Sequence, residues 1–122
     1  MILADTAIWI EYFRDRNPRM RELMNSGQIS IHPFVIAELA LGSLHDRANT
    51  LAQLDKLASG RVAHLSELRR MIEAHSLYSR GIGFTDAHLI ASCLLTPGTQ
   101  LWTRDIRLRT IAETLGIHAD LV

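Results

Sequence analysis

The sequence predicts an α/β domain with a mostly parallel sheet, on three observations. Residues 1–4, 29–32 and 100–103 form brief apolar or alternating runs, too short for helices. The segments between them carry apolar residues at helical spacing, and strands separated by helices build parallel sheets. A chain of 122 residues with 48% hydrophobic content has the length of one domain, taken as residues 1–122, and enough apolar mass for a core.

The elements follow in order. Residues 1–4 read as a buried strand ending at Asp5. Thr6 can cap a helix with Ile8, Trp9, Tyr12 and Phe13 on its apolar face. Asn17-Pro18 starts a second helix, which Gly27 stops. A strand over residues 29–32 precedes a helix opened by Pro33 and closed near Gly42. A helix over about residues 46–58 ends at Gly60, and another starts at Ser66 with Leu68, Met71, Ile72 and His75 on one face. Gly81 and Gly83 break the chain before Thr85, placed to cap a helix reaching about Leu95. Thr96-Pro97-Gly98 is a turn, residues 100–103 a strand, and residues 106–115 a helix stopped by Gly116. Residues 117–122 read as a last strand.

Composition narrows the function. Intrinsic disorder does not fit this apolar content, and the most apolar run, residues 34–41, is interrupted by Glu38 and far too short for a membrane span. No signal peptide is legible, and one cysteine, Cys93, cannot form an internal disulfide; both point to a reducing, cytoplasmic setting. Thirteen basic residues balance thirteen acidic ones, which argues against a polycationic nucleic-acid binder. Yet Lys56 is the sole lysine beside twelve arginines, whose guanidinium fork suits phosphate.

Four carboxylates stand out. Glu38 lies in a helix apolar on every side, so it is expected to be buried, where a carboxylate needs a cationic partner or a metal. Asp5 and Asp105 each follow a strand, and Asp86 follows Thr85 at a helix start. Helix-capping acids explain each of these singly. Strand ends and helix starts share one sheet edge, however, which brings the three together with Glu38 in reach. Carboxylates gathered this way stay ionised only around a cation, and oxygen ligands without Cys or His suit Mg²⁺ or Mn²⁺. The six histidines lack zinc-site spacing, and no nucleophile elbow or phosphate-binding glycine loop is present. Arg80, Arg104 and Arg107, near the third and fourth acids, are candidates for holding phosphates, or else belong to a solvated surface.

The run Ile2-Leu3-Ala4-Asp5-Thr6-Ala7-Ile8-Trp9-Ile10 resembles the opening of PIN-domain nucleases, in particular VapC-type toxins of bacterial toxin–antitoxin pairs. Ala37-Glu38-Leu39, the segment from Arg80 through Asp86 to Ala91, and Leu101-Trp102-Thr103-Arg104-Asp105 with Leu108 resemble that family's later acidic motifs, in order and along the whole chain. The resemblance implies a three-layer α/β/α sandwich and an endoribonuclease dependent on Mg²⁺, with Mn²⁺ as a substitute. It implies that Asp5, Glu38, Asp86 and Asp105 form the metal site, with the hydroxyls of Thr6 and Thr103 beside it. It further implies an RNA substrate, a homodimer, and inhibition by a cognate VapB-type antitoxin whose tail covers the cleft. Trp9, Tyr12 and Phe13, and the Met20-Leu23-Met24 stripe, are candidate antitoxin surfaces or plain core. Ala4 and Ala7 depart from the bulkier Val and the Ser often found there, and Ala7 removes a hydroxyl near the first acid.

Two other classes compete. A phospho-acceptor receiver domain also gathers carboxylates around Mg²⁺, but needs a lysine after a late strand, and Lys56 sits on a mid-chain helix. An RNA- or protein-binding PIN domain without activity is the other, and retention of all four acids speaks against it.

Overall fold

The computed structural model describes residues 1–121; Val122, the end of the expected last strand, lies outside them. Its centre is a three-stranded, all-parallel sheet of β1 (Ile2–Ala4), β2 (Ile29–Ser30) and β3 (Gln100–Trp102), in the order β2-β1-β3. Seven helices flank it: α1 (Thr6–Asp15), α2 (Pro18–Asn25), α3 (Pro33–Leu41), α4 (Arg47–Asp55), α5 (Leu65–Ala74), α6 (Phe84–Leu95) and α7 (Ile106–Thr114). The chain steps from β1 to one side, then crosses back over β1 to reach β3. Because such crossovers are right-handed, the two steps lay their helices on opposite faces of the sheet. No helix of the described residues is long and apolar enough to cross a membrane.

The short strands form the centre of the core. Leu3, Ala4, Ile29, Leu101 and Trp102 are all buried, as are Trp9 and Val35 from the covering helices. A smaller cluster of Ala63, Leu68, Ala87 and Ala91 joins α5 to α6, where small residues allow close approach. Single-residue bridges finish both sheet edges, Ser30 with Ala58 and Leu101 with His118, which limits the unpaired edge.

Several boundaries differ from the sequence reading. The expected last strand is one bridge at His118, because the Leu121 N–H bonds back to the Ala119 carbonyl and pulls the chain out of extension. Helix α4 stops at Asp55, not near Ala58, because the Ala58 carbonyl accepts from the Ile31 N–H at the sheet edge, 2.8 Å away. Thr6 and Thr85 are not caps: Asp5 caps α1 and Gly83 precedes α6, leaving both threonines inside the first turn. His75 follows α5 and is exposed instead of lying on its apolar face.

Helix α3 is the largest correction. Only Val35 and Leu39 are buried; Ala37, Glu38 and Leu41 are exposed. The helix packs against α1 and α4 and, through Phe34, against Phe84 and His88 of α6, which leaves Ala37, Glu38 and Leu41 uncovered. In the Met20-Leu23-Met24 stripe, Met20 and Leu23 belong to the core, which leaves Met24 alone half-buried.

Candidate active site

The carboxyl ends of β1 and β3 lie side by side, and the chain leaves each of them through an aspartate. The Asp5 N–H donates to the Trp102 carbonyl at 3.0 Å, so the sheet's last hydrogen bond is made at Asp5 itself. The Asp5 side chain then turns back to cap α1, with Oδ1 accepting from the Ile8 N–H at 3.0 Å. Its other oxygen, Oδ2, accepts from the Thr103 hydroxyl at 2.5 Å. Thr103 Oγ1 in turn accepts from the Asp105 N–H at 3.1 Å, while Asp105 Oδ1 caps α7 through the Arg107 and Leu108 N–H groups. One hydroxyl, 98 residues along the chain from Asp5, thus ties the first acid to the last.

The other two acids arrive from helices. Asp86, in the first turn of α6, accepts a long 3.4 Å bond from the Gly83 N–H at Oδ2. Glu38, on α3, is held by the Thr6 hydroxyl, which donates to its Oε1 at 2.8 Å. Asp5, Thr6, Ala7, Glu38, Gly83, Phe84, Thr85, Asp86 and Asp105 line one cleft of about 350 Å³. All four carboxylates singled out in the sequence therefore share a wall, although Glu38 reaches it from an exposed position rather than a buried one.

Asp5 is the buried member. Desolvation raises its pKa above the usual carboxylate value, opposed by the Thr103 and Ile8 hydrogen bonds, while neighbouring Asp105 adds to the rise. Asp86 is also raised, first by desolvation and further by the charges of Asp5, Asp105 and Glu38. The cleft thus holds carboxylates in mutual repulsion. Arg104 relieves Asp5 only slightly, since both its Nε and its second guanidinium nitrogen are bonded to Glu11 at 2.9 Å.

The donor chemistry fits a hard divalent cation: carboxylates and hydroxyls line the cleft, and no His or Cys does. Among the described residues, however, no three His, Cys, Asp or Glu side chains close on a single point. A hard cation such as Mg²⁺ commonly completes its shell with water and substrate oxygens beside the carboxylates that hold it.

The three arginines do not line the cleft. Arg104 is paired with Glu11, Arg107 packs its guanidinium over Gly81, and Arg80 is exposed. Gly81 has φ +77°, which strains any residue with a side chain, and a Cβ there would lie 2.7 Å from the Arg107 guanidinium and displace it.

An aromatic cluster escaped the sequence reading. Phe34, Phe84, His32 and His88 form one group, with Phe34 stacked on Phe84 at 5.9 Å between centroids. Both histidines are buried, and burial holds each pKa down, to about 4 for His32. His32 Nδ1 accepts from the Phe34 N–H at 3.0 Å and so caps α3. The sequence signal was slight: an aromatic residue two positions before an acid at a helix start.

A second, larger cavity of about 720 Å³ lies between α1, α3 and α4, with Trp9, Tyr12, Phe13, Met24, Leu54 and Glu38 among its lining residues. Glu38 borders both cavities.

Strand-end acids, an α/β/α arrangement and this cleft define a chain of the PIN domain family: the family model matches residues 2–114, and the chain belongs to that family. It is 40% identical over 117 residues to Ribonuclease VapC32 of Mycobacterium tuberculosis, in both strains CDC 1551 / Oshkosh and ATCC 25618 / H37Rv. That match covers 96% of this chain and 94% of the relative, making the chain a homologue of a VapC-type toxin. The crystal structure of PAE2754 from Pyrobaculum aerophilum superposes with a TM-score of 0.52, covering 93% of this chain and 90% of the other. At 20% identity that likeness concerns the fold alone.

Proposed function

We propose that this chain is the toxin of a toxin–antitoxin pair, an endoribonuclease whose cleft carboxylates hold Mg²⁺, or Mn²⁺ in its place. The observation that carries the reading is that Asp5, Glu38, Asp86 and Asp105, from four separate segments, line one cleft in a homologue of a VapC ribonuclease. A divalent cation in that cleft would neutralise the acids, orient a scissile phosphate and make water nucleophilic at neutral pH.

The chain's own residues would do the remaining work. Asp5, Asp86 and Asp105 would hold the cation, with Glu38 at the open side of the cleft, where a carboxylate could also take a proton from the attacking water. Thr103 fixes the orientation of Asp5, and Thr6 that of Glu38. Arg80 and Arg107, both exposed, would meet phosphates outside the acidic zone, while Glu11 already offsets Arg104. The groove along α1 is the surface proposed for a VapB-type antitoxin, since an occupant there would meet the cleft at Glu38. A homodimer and a cytoplasmic setting complete the reading.

The test is cleavage of RNA by purified protein. Products are expected with Mg²⁺ or Mn²⁺, and none with EDTA or with Asp86→Asn. Cleavage undiminished by both would overturn the metal mechanism.

A further inference from the structure

The cleft has one uncharged wall. Phe84 opens α6 two residues before Asp86 and lines the same cleft as the four acids, yet its side chain is left 57% exposed. The ring does not hang free. Phe34 stacks against it with the planes 21° apart, and His88 meets it edge-on at 4.7 Å. His88 also meets Phe34 edge-on at 4.6 Å, and His32 meets Phe34 at 4.9 Å, so the support beneath the ring is itself packed. Tyr78 is equally exposed but lies outside the cleft.

We propose that Phe84 is a stacking shelf for one unpaired nucleobase of the RNA entering the cleft, a proposal that rests on the ribonuclease reading. Phe34 and His88 cover part of the ring, and the rest of it is exposed where Phe84 lines the cleft. A phosphate there would need a cation to offset the acids, whereas a base presents a neutral π-face and needs none. Phe34 and His88 hold the shelf in place, with His32 packed behind them, so less side-chain freedom remains to be lost on binding. Stacking demands a base turned out of a duplex, so the shelf selects single-stranded or looped RNA over continuous helix. It tolerates any base identity, because every base has a π-face.

The test uses a single-stranded RNA oligonucleotide spanning a mapped cleavage site, and the same oligonucleotide with one abasic residue at each position flanking the scissile bond in turn. Equilibrium binding and KM are measured for wild type, Phe84→Ala, Phe84→Leu and Phe84→Trp. Phe84→Ala and Phe84→Leu are expected to weaken binding about 5- to 150-fold on the intact oligonucleotide, with Phe84→Trp close to wild type. At one flanking position the abasic substitution should weaken wild type by a similar factor and abolish the difference between wild type and Phe84→Ala. Unchanged binding by Phe84→Ala and Phe84→Leu would overturn the shelf, as would a loss that persists on every abasic oligonucleotide. Unchanged RNA binding with an altered oligomeric state would overturn it too, and assign the ring to a protein contact. Wild-type protein that neither binds nor cleaves RNA would overturn the ribonuclease reading and the shelf together.

Discussion

Asp5 is buried with both carboxylate oxygens already bonded, one to the Ile8 N–H and one to the Thr103 hydroxyl. A hydrogen bond to a buried charge contributes about 1.5–3 kcal/mol, and the charge keeps its desolvation penalty when the bond is lost. Thr103→Val preserves shape and removes that donor. It is expected to cost about 1–3 kcal/mol in urea unfolding at pH 7 and to lower cleavage, with Thr103→Ser restoring most of both. A Thr103→Val protein as stable as wild type would show that the hydroxyl does not hold Asp5. The positions of Asp5, Asp86 and Asp105 were legible in the sequence because each sits at a strand end or helix start, where local rules already place a side chain. Glu38 was legible as an acid out of keeping with its helix, but its burial was misjudged. Hydropathy alone does not say whether an apolar surface has a neighbour.

At the scale of elements, α3 joins the aromatic cluster to the acidic cleft. It begins at His32, whose imidazole caps the helix through Nδ1 and so stays neutral in the fold. Burial and the nearby His88 lower its pKa from the ordinary value near 6.5 to about 4. The unfolded chain takes up a proton below pH 6.5 and the folded one resists until about pH 4, so the contribution is full above 6.5 and is lost as pH falls toward 4. The loss amounts to about 3 kcal/mol over that window. His88, also lowered, acts in the same direction. His32→Asn keeps an acceptor for the Phe34 N–H, and is expected to flatten the fall in unfolding free energy between pH 6.5 and 4; an unchanged slope would contradict the assignment. Both histidines had read only as surface or core, since spacing along the chain does not reveal four rings converging from α3 and α6. Helix α4 and the final segment were overextended for a similar reason: Ala58 and His118 are drawn to the sheet edges by tertiary hydrogen bonds that local propensity does not encode.

At the scale of the whole molecule, the zero net charge conceals an uneven distribution. With the four cleft acids set aside, nine acidic residues face thirteen basic ones, so the rest of the chain carries a surplus of four positive charges. The cleft itself works against folding. The raised pKa values of Asp5 and Asp86 mean that the folded state holds their protons more tightly than the unfolded state. Without a cation their stabilising protonation is therefore full below the ordinary carboxylate value and is lost as pH rises through the raised one. A bound divalent ion would reverse this, and at one hundred times its Kd would add about 2.7 kcal/mol. The melting temperature at pH 7 is thus expected to rise by several degrees on replacing EDTA with excess Mg²⁺, and Asp5→Asn should show little of that rise. Equal rises in both proteins would place the ion elsewhere.

The central claim, that these carboxylates cut RNA, is tested most directly by mapping new RNA ends after total RNA is incubated in Mg²⁺ with wild type or with Asp5→Asn. Wild type is predicted to leave new ends at a few discrete positions within unpaired segments, all of them missing with Asp5→Asn. The same ends from both proteins, or none from wild type, would contradict it.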